Sequence, residues 1–219
     1  MKSMTAMNAK RKQSGFTIIE LVVVILLLGI LTATALPRFM DVTDEAHTAV
    51  VDAVQGGFST GVALFRAQWV AEGQPLTAVT DAAGFNLYAS STGYPRSATI
   101  LPTAYATLTT SNTCVDVYNS ILQSGGRPSI AAITGSLLAD TASTRETALE
   151  LAATSTTDIV AALLADNATP TAATVSCIYY YVGQYKLGTV AAPVTIPTIT
   201  YTFSTGAIAR GTLTLNLGA

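Results

Sequence analysis

Gly57-Phe58-Ser59-Thr60-Gly61 carries the G-x-S-x-G spacing of a hydrolase nucleophile, a serine flanked by glycines that would expose it on a tight turn. Such a serine needs a base within hydrogen-bond reach, and the chain has one histidine, His47. His47 lies twelve residues upstream inside a helical periodicity, roughly 18 Å along a helix axis and in the wrong chain order. The match is therefore read as chance, and His47 as a helix residue facing water or a neighbouring subunit. Two cysteines, Cys114 and Cys177, with neither C-x-x-C spacing nor further histidines supply too few ligands for a metal site. No P-loop, H-E-x-x-H or dinucleotide fingerprint is present, so no catalytic residue, metal or cofactor is assigned.

The residue with unusual chemistry is Glu20. Lys2, Lys10, Arg11 and Lys12 precede it with no acid before Gly15, and the run Phe16–Leu36 is apolar apart from Thr17, Glu20, Gly29, Thr32 and Thr34. At about 1.5 Å per residue that run spans roughly 30 Å, the thickness of a bilayer core. A basic leader before it keeps the short end cytoplasmic and exports the remainder. A carboxylate near the membrane interior is costly and calls for a specific partner. A secretory signal would be cut after the apolar run, and Ala33, Ala35 and Pro37 form only a poor small-residue site.

The elements that must carry this segment follow from pattern. Pro37 is the first residue unable to continue a helix without losing a hydrogen bond. Beyond it Phe39, Val42, Ala46, Val50, Val54, Phe58, Val62, Phe65 and Trp69 recur at steps of three and four, predicting a helical stripe. Asp41, Asp44, Glu45 and Asp52 lie off the stripe, and Glu72-Gly73-Gln74-Pro75 is a stop signal. Gly56, Gly57 and Gly61 point to close packing against other elements. Alternation through Cys177–Val182, Thr198–Phe203 and Leu213–Leu217 predicts strands, with Ser204-Thr205-Gly206 as a turn and the threonine faces toward solvent. The Ala/Thr-rich stretch of about 129–174 reads as a low-complexity insert, either two short helices or a partly mobile surface loop, with helices favoured. One follows the capping box Ser143-Thr144-Arg145-Glu146; the other starts at Thr157-Asp158 and ends near Asn167 and Pro170.

Charged residues make up 11% of the 219 positions, and mean hydropathy is +0.46. Of the 11 basic residues four sit in the leader, so the remainder carries 7 basic against 13 acidic residues, a balance of −6. Lys186 is the one lysine left after the leader, which argues against nucleic acid as a main partner. In an oxidising compartment Cys114 and Cys177, 63 positions apart, are expected to form a disulfide.

Gly15-Phe16-Thr17-Ile18-Ile19-Glu20 resembles the prepilin signature of type IV pilins and of type II secretion pseudopilins. The resemblance implies cleavage by a prepilin peptidase between Gly15 and Phe16 and N-methylation of Phe16. It also implies pairing of Glu20 with the amino terminus of a neighbouring subunit during assembly. A buried acid beside a buried ammonium is tolerable only when the two meet. Gly29 and Pro37 sit where many type IV pilins carry helix-weakening residues, a segment implied to melt in the filament. Ala35-Leu36-Pro37-Arg38-Phe39-Met40-Asp41, Gly93-Tyr94-Pro95 and Cys114-Val115-Asp116-Val117-Tyr118-Asn119 are similar to mannose-sensitive haemagglutinin-type pilins. So are Cys177-x-Tyr179-x-Tyr181 and Ile199-Thr200-Tyr201 with Thr205-Gly206.

The expected fold is α+β, a long amino-terminal helix packed against an antiparallel sheet, as in type IV pilins. Its parts are a leader at 1–15, a membrane and assembly helix at 16–36, an amphipathic spine at 37–73 and a β-rich head at 74–219. The resemblance implies a non-enzymatic subunit of an adhesive or biofilm filament, a homopolymer joined through its helix. It waits in the inner membrane with its head in the periplasm and is served by an assembly platform and a separate ATPase. A surface or glycan ligand is expected for the head; threonines of the insert are open to O-linked sugar, while the sequon Asn167-Ala168-Thr169 is given little weight because Pro170 follows it. Two other readings stand beside this one: a type II secretion pseudopilin or minor pilin, and a membrane-anchored binding protein that never polymerises. Tyr185–Ala219 holds no acid, which disfavours the carboxy-terminal calcium loop of major pseudopilins.

Overall fold

A computed structural model of the chain describes residues 15–75, 85–98, 112–133, 157–165, 175–185 and 193–215. The leader before Gly15, the capping box at Ser143 and the sequon at Asn167 lie outside the described residues. Helix α1 runs from Ile18 to Ala71, and the chain divides into two units, one ending at Ala46 and one beginning at His47.

In the first unit the residues Ile18–Leu36 are long and apolar enough to cross a membrane. Their side chains are almost all exposed among the described residues.

The second unit is α+β. The α1 residues from His47 pack on a five-stranded sheet ordered β3 (Ile130–Ala132), β4 (Ile159–Ala165), β5 (Val175–Tyr181), β6 (Val194–Thr202) and β7 (Ile208–Leu215). A short pair, β1 (Tyr88–Ala89) and β2 (Pro95–Ser97), and helix α2 (Asn112–Ile121) complete it. Val51, Val54, Phe58, Val62, Phe65 and Trp69 are buried, so the stripe holds from Val50 onward, whereas Val42 is exposed. Phe58 sits at its centre, its ring edge-on to Tyr179 (5.5 Å) and Tyr201 (5.3 Å) and stacked toward Tyr118 (6.4 Å). These offset geometries suit the aromatic quadrupole better than face-to-face stacking.

The stop signal forms a Schellman cap. Gln74 N–H donates to Trp69 O (2.9 Å) and Gly73 N–H to Val70 O (3.1 Å), with Gly73 at φ 80°. Trp69 Nε1 then donates to Pro75 O at 3.1 Å, so the side chain that anchors the last turn also holds the exit. Gly93, at φ 86°, lets the backbone lie directly on the Trp69 ring, where any Cβ would collide.

Three expectations are corrected. The helix predicted from Thr157-Asp158 is strand β4, and β3 also lies within the supposed insert. Asp158 does not cap a helix: its Oδ2 accepts from the Ser129 amide (2.9 Å) and hydroxyl (2.7 Å), tying together the starts of β3 and β4. Buried Ala161 and Ala162 read as helix formers, but pairing along β5 overrides propensity. The sheet is mixed rather than antiparallel, because β3 and β4 run parallel; the other pairs are antiparallel. The threonine face of β6 is not solvated either: Thr198 is buried and Thr200 and Thr202 are half-buried. Val160, Ala162, Ile178, Tyr180, Val194 and Ile196 form a second core on the face away from Phe58, so both faces of the sheet are covered. Helix α2, which no sequence reading foresaw, is fastened from three sides as described next.

Candidate assembly segment

Gly15 and Phe16 precede α1 in non-helical conformation, and Phe16 is 90% exposed. The bond expected to be cut thus lies one residue before the helix N-cap. Thr17 is that cap. The amide of Thr17 donates to Glu20 Oε2 (2.9 Å), the Thr17 hydroxyl donates to the same oxygen (2.8 Å), and Glu20 N–H points back at Thr17 Oγ1 (3.4 Å). This is a capping box, Thr at N-cap and Glu at N3, and it satisfies amides that otherwise have no helical acceptor. The carboxylate also lies at the positive end of the helix dipole. Glu20 is therefore held by its own chain at the entrance to an exposed apolar helix.

Further along, α1 passes through Gly29 and Pro37 as helix. Thr32 and Thr34 turn their hydroxyls onto the backbone of the preceding turn. What this segment offers chemically is apolar area with one acid and no nucleophile.

In the second unit the expected disulfide is present: Cys114 and Cys177 are bonded, with Cα atoms 5.5 Å apart. It fastens α2 to β5, and Tyr179 repeats the link by donating its hydroxyl to Cys114 O at 3.0 Å. Arg127 closes the other end, its Nη1 donating to the carbonyls of Asn119 (2.6 Å) and Leu122 (2.8 Å). Burial pushes the phenols of Tyr179 and Tyr118 well above their ordinary range, so both stay neutral donors.

The G-x-S-x-G residues lie in the middle of α1, where Ser59 donates to Gly56 O at 2.9 Å. His47 is half-buried and its Nδ1 is 2.8 Å from the Tyr181 hydroxyl, which corrects the expectation of a helix residue facing water or a neighbour. Serine and histidine are not brought together. Asp52, expected off the stripe, is exposed and paired with Arg210 of β7. A cavity of about 510 Å³ lies beside Val50, Val54, Leu122, Arg127, Asp158 and Tyr181. Three of its polar groups are engaged, Arg127 on α2, Asp158 on Ser129 and Tyr181 on His47.

Comparison with known proteins places its match on the amino-terminal segment. Residues 10–36 match the prokaryotic N-terminal methylation motif. Over 57 residues the chain is 46% identical to a type IV narrow pilus major component of Thermus thermophilus, covering 26% of this chain and 49% of that protein. Over 41 residues it is 49% identical to the type II secretion system core protein G of Pseudomonas aeruginosa, covering 19% of this chain and 29% of that one. The chain thus spans about half the length of the first relative and under a third of the second. No solved structure matches it significantly. The relatives are filament and secretion-system components rather than enzymes. What the chain shares with known proteins is thus the methylation motif at residues 10–36 and likeness, over part of their lengths, to a type IV pilus component and a type II secretion core protein.

Proposed function

We propose that this protein is the structural subunit of a bacterial type IV pilus. It is exported, cleaved between Gly15 and Phe16, N-methylated at Phe16 and polymerised into an adhesive or biofilm filament. Before assembly it sits in the inner membrane through Ile18–Leu36, with the disulfide-bonded unit in the periplasm. The observation that carries this reading is the exposed apolar helix entered by a single acid. Its side chains are stable in lipid or against copies of themselves, and water is the one surrounding they do not suit. Burial of that surface drives assembly. Glu20 sets axial register by leaving Thr17 for the amino terminus of an adjoining subunit. Gly29 and Pro37 supply the weak point at which the helix gives way in the filament. A prepilin peptidase, an assembly platform and an assembly ATPase are the partners this route requires, and the head meets a surface or glycan. The resemblance in the head favours the mannose-sensitive haemagglutinin-type branch.

A pseudopilin of type II secretion is the second reading, favoured by the likeness to core protein G. The acid-free stretch Tyr185–Ala219 weighs against it. Mass spectrometry of filaments sheared from the native cells separates the two. Abundant peptide beginning at methylated Phe16 supports a pilus subunit. The processed form retained wholly in membranes supports a pseudopilin or minor pilin, and an intact Met1 terminus removes both.

A further inference from the structure

Strand β7 is an edge of the five-stranded sheet: β6 pairs with one side of it, and no described residue pairs with the other. The register, from Val194 opposite Leu215 to Tyr201 opposite Ile208, runs without a bulge. Thr202 N–H donates to Ala207 O at 3.0 Å, which sets the phase of that ladder. Bonded positions alternate in an antiparallel pair, so Ala209, Gly211, Leu213 and Leu215 turn their amides and carbonyls toward β6. Those of Ile208, Arg210, Thr212 and Thr214 point outward. Ala209, Arg210, Gly211, Thr212 and Thr214 are all exposed. Natural edges are commonly blunted by lysine, proline or a bulge, and β7 carries none of these. Its one charge, Arg210, is already paired with Asp52 of α1. Pro197 of β6 leaves the β6–β7 ladder whole, because by the same alternation its missing amide faces away from β7.

We propose that the outer edge of β7 pairs antiparallel with β7 of a second copy of this chain, about a two-fold axis at Gly211. The strand is its own complement, since the outward-facing residues lie evenly on either side of Gly211. In that register Ile208 meets Thr214 of the copy and Arg210 meets Thr212 of the copy, so every outward backbone group of both strands is bonded. Gly211 meets Gly211 with no side chain between them, and Leu213 lies across from Ala209. Centring the pair on Arg210 would set two like charges opposite each other, which is unfavourable. Centring it on Thr212 would carry Ile208 past the end of the copy's strand. A two-fold contact of this kind closes on two copies and goes no further. The inference rests on the second unit alone and stands or falls separately from the pilus reading.

The test is disulfide trapping on the full chain in detergent micelles. Cys114 and Cys177 are bonded to each other, so an introduced cysteine is the sole thiol. Ala209 of one copy and Leu213 of the other would form a non-hydrogen-bonded pair, with Cα atoms about 4.5 Å apart and within disulfide reach. An equimolar mixture of Ala209→Cys and Leu213→Cys chains is expected to cross-link on mild oxidation, and either variant alone to stay largely uncross-linked. Adding Thr212→Lys to both chains sets a lysine against Arg210 at two positions and should lower the yield roughly two- to thirtyfold. Thr212→Asp at the same exposed position should preserve or raise it. No cross-link in the mixture, equal cross-linking by the single variants, or the same effect from lysine and aspartate overturns the proposal. So does capture of a different protein by Ala209→Cys chains in cells when the mixture yields nothing. Association through Ile18–Leu36 alone would raise every yield alike and counts with the second of these outcomes.

Discussion

Glu20 and Thr17 close on each other at the mouth of α1, the carboxylate 2.8 Å from the hydroxyl and 2.9 Å from the amide of the same residue. The acid that assembly would require is thus already a local partner, and any neighbour must compete with Thr17 for it. Both interactions are favourable, but only one needs a charge. A capping box tolerates glutamine at N3, whereas pairing with an ammonium does not.

That difference yields the first prediction. Glu20→Gln keeps the helix start and cleavage after Gly15, yet filament yield falls as far as in Glu20→Val. Quantifying sheared filaments and the processed amino terminus in both variants checks this. Normal filaments from Glu20→Gln would show that Glu20 acts as a cap alone.

The glycines of α1 should respond with opposite signs. Gly56 faces open space, so Gly56→Ala is expected to stabilise by about 0.5–1 kcal/mol, the helix propensity difference. At Gly61 a Cβ would stand 2.5 Å from Ile121 Cγ2 and 2.9 Å from the Ile121 carbonyl, forcing α2 to shift. Gly61→Ala should destabilise by about 1–3 kcal/mol despite the same gain in propensity. Thermal unfolding of the two variants beside the wild type decides it.

Removing the Cys114–Cys177 bond frees a loop of 63 residues. Replacing both cysteines by serine should cost roughly 4 kcal/mol on the chain-entropy account, about 10 °C in melting midpoint for a chain of this size. Tyr179→Phe, which removes the second tie from β5 to α2, should cost about 1 kcal/mol. Calorimetry on the oxidised wild type, the double-serine variant and Tyr179→Phe measures both.

Asp116 on α2 gives a pH signature. Burial raises its carboxyl above the ordinary aspartate value, so the folded state holds the proton more tightly than the unfolded one. Stability from this group is therefore lost as pH rises from the ordinary value through the raised one, and it stays lower above that. Asp116→Asn should melt higher than wild type at about pH 7 and no differently at about pH 3, where the wild-type group is protonated in both states. A gap that persists at the acid end would show that the gain has another source.

The amino-terminal segment was legible because its physics is local. Charge sign, apolar length and the offset of Glu20 from Phe16 are properties of consecutive residues, which the sequence displays directly. The α1 stripe from Val50 to Trp69 was readable for the same reason, one face of one helix. So were β5 and β6, where tyrosine and β-branched residues leave little choice. Cys114 and Cys177 could be paired by elimination, there being no third cysteine.

Where neighbours decide, sequence was silent or misleading. Ile159–Ala165 has the composition of a helix, yet it becomes a strand because β5 offers it a full ladder and Asp158 is drawn away to Ser129. Helix α2 does carry a helical stripe, Cys114, Val117, Tyr118 and Ile121, all buried, but it is only ten residues long, and the disulfide, Tyr179 and Arg127 hold it in place from outside it. The pairing of His47 with Tyr181 and of Asp52 with Arg210 spans 134 and 158 residues, distances that no local pattern encodes. By itself the sequence determined, through runs of adjacent residues, a basic leader and a helix long and apolar enough to cross a membrane. The tertiary structure alone decided how the head closes, because there each contact has its energy from a partner far away in the chain.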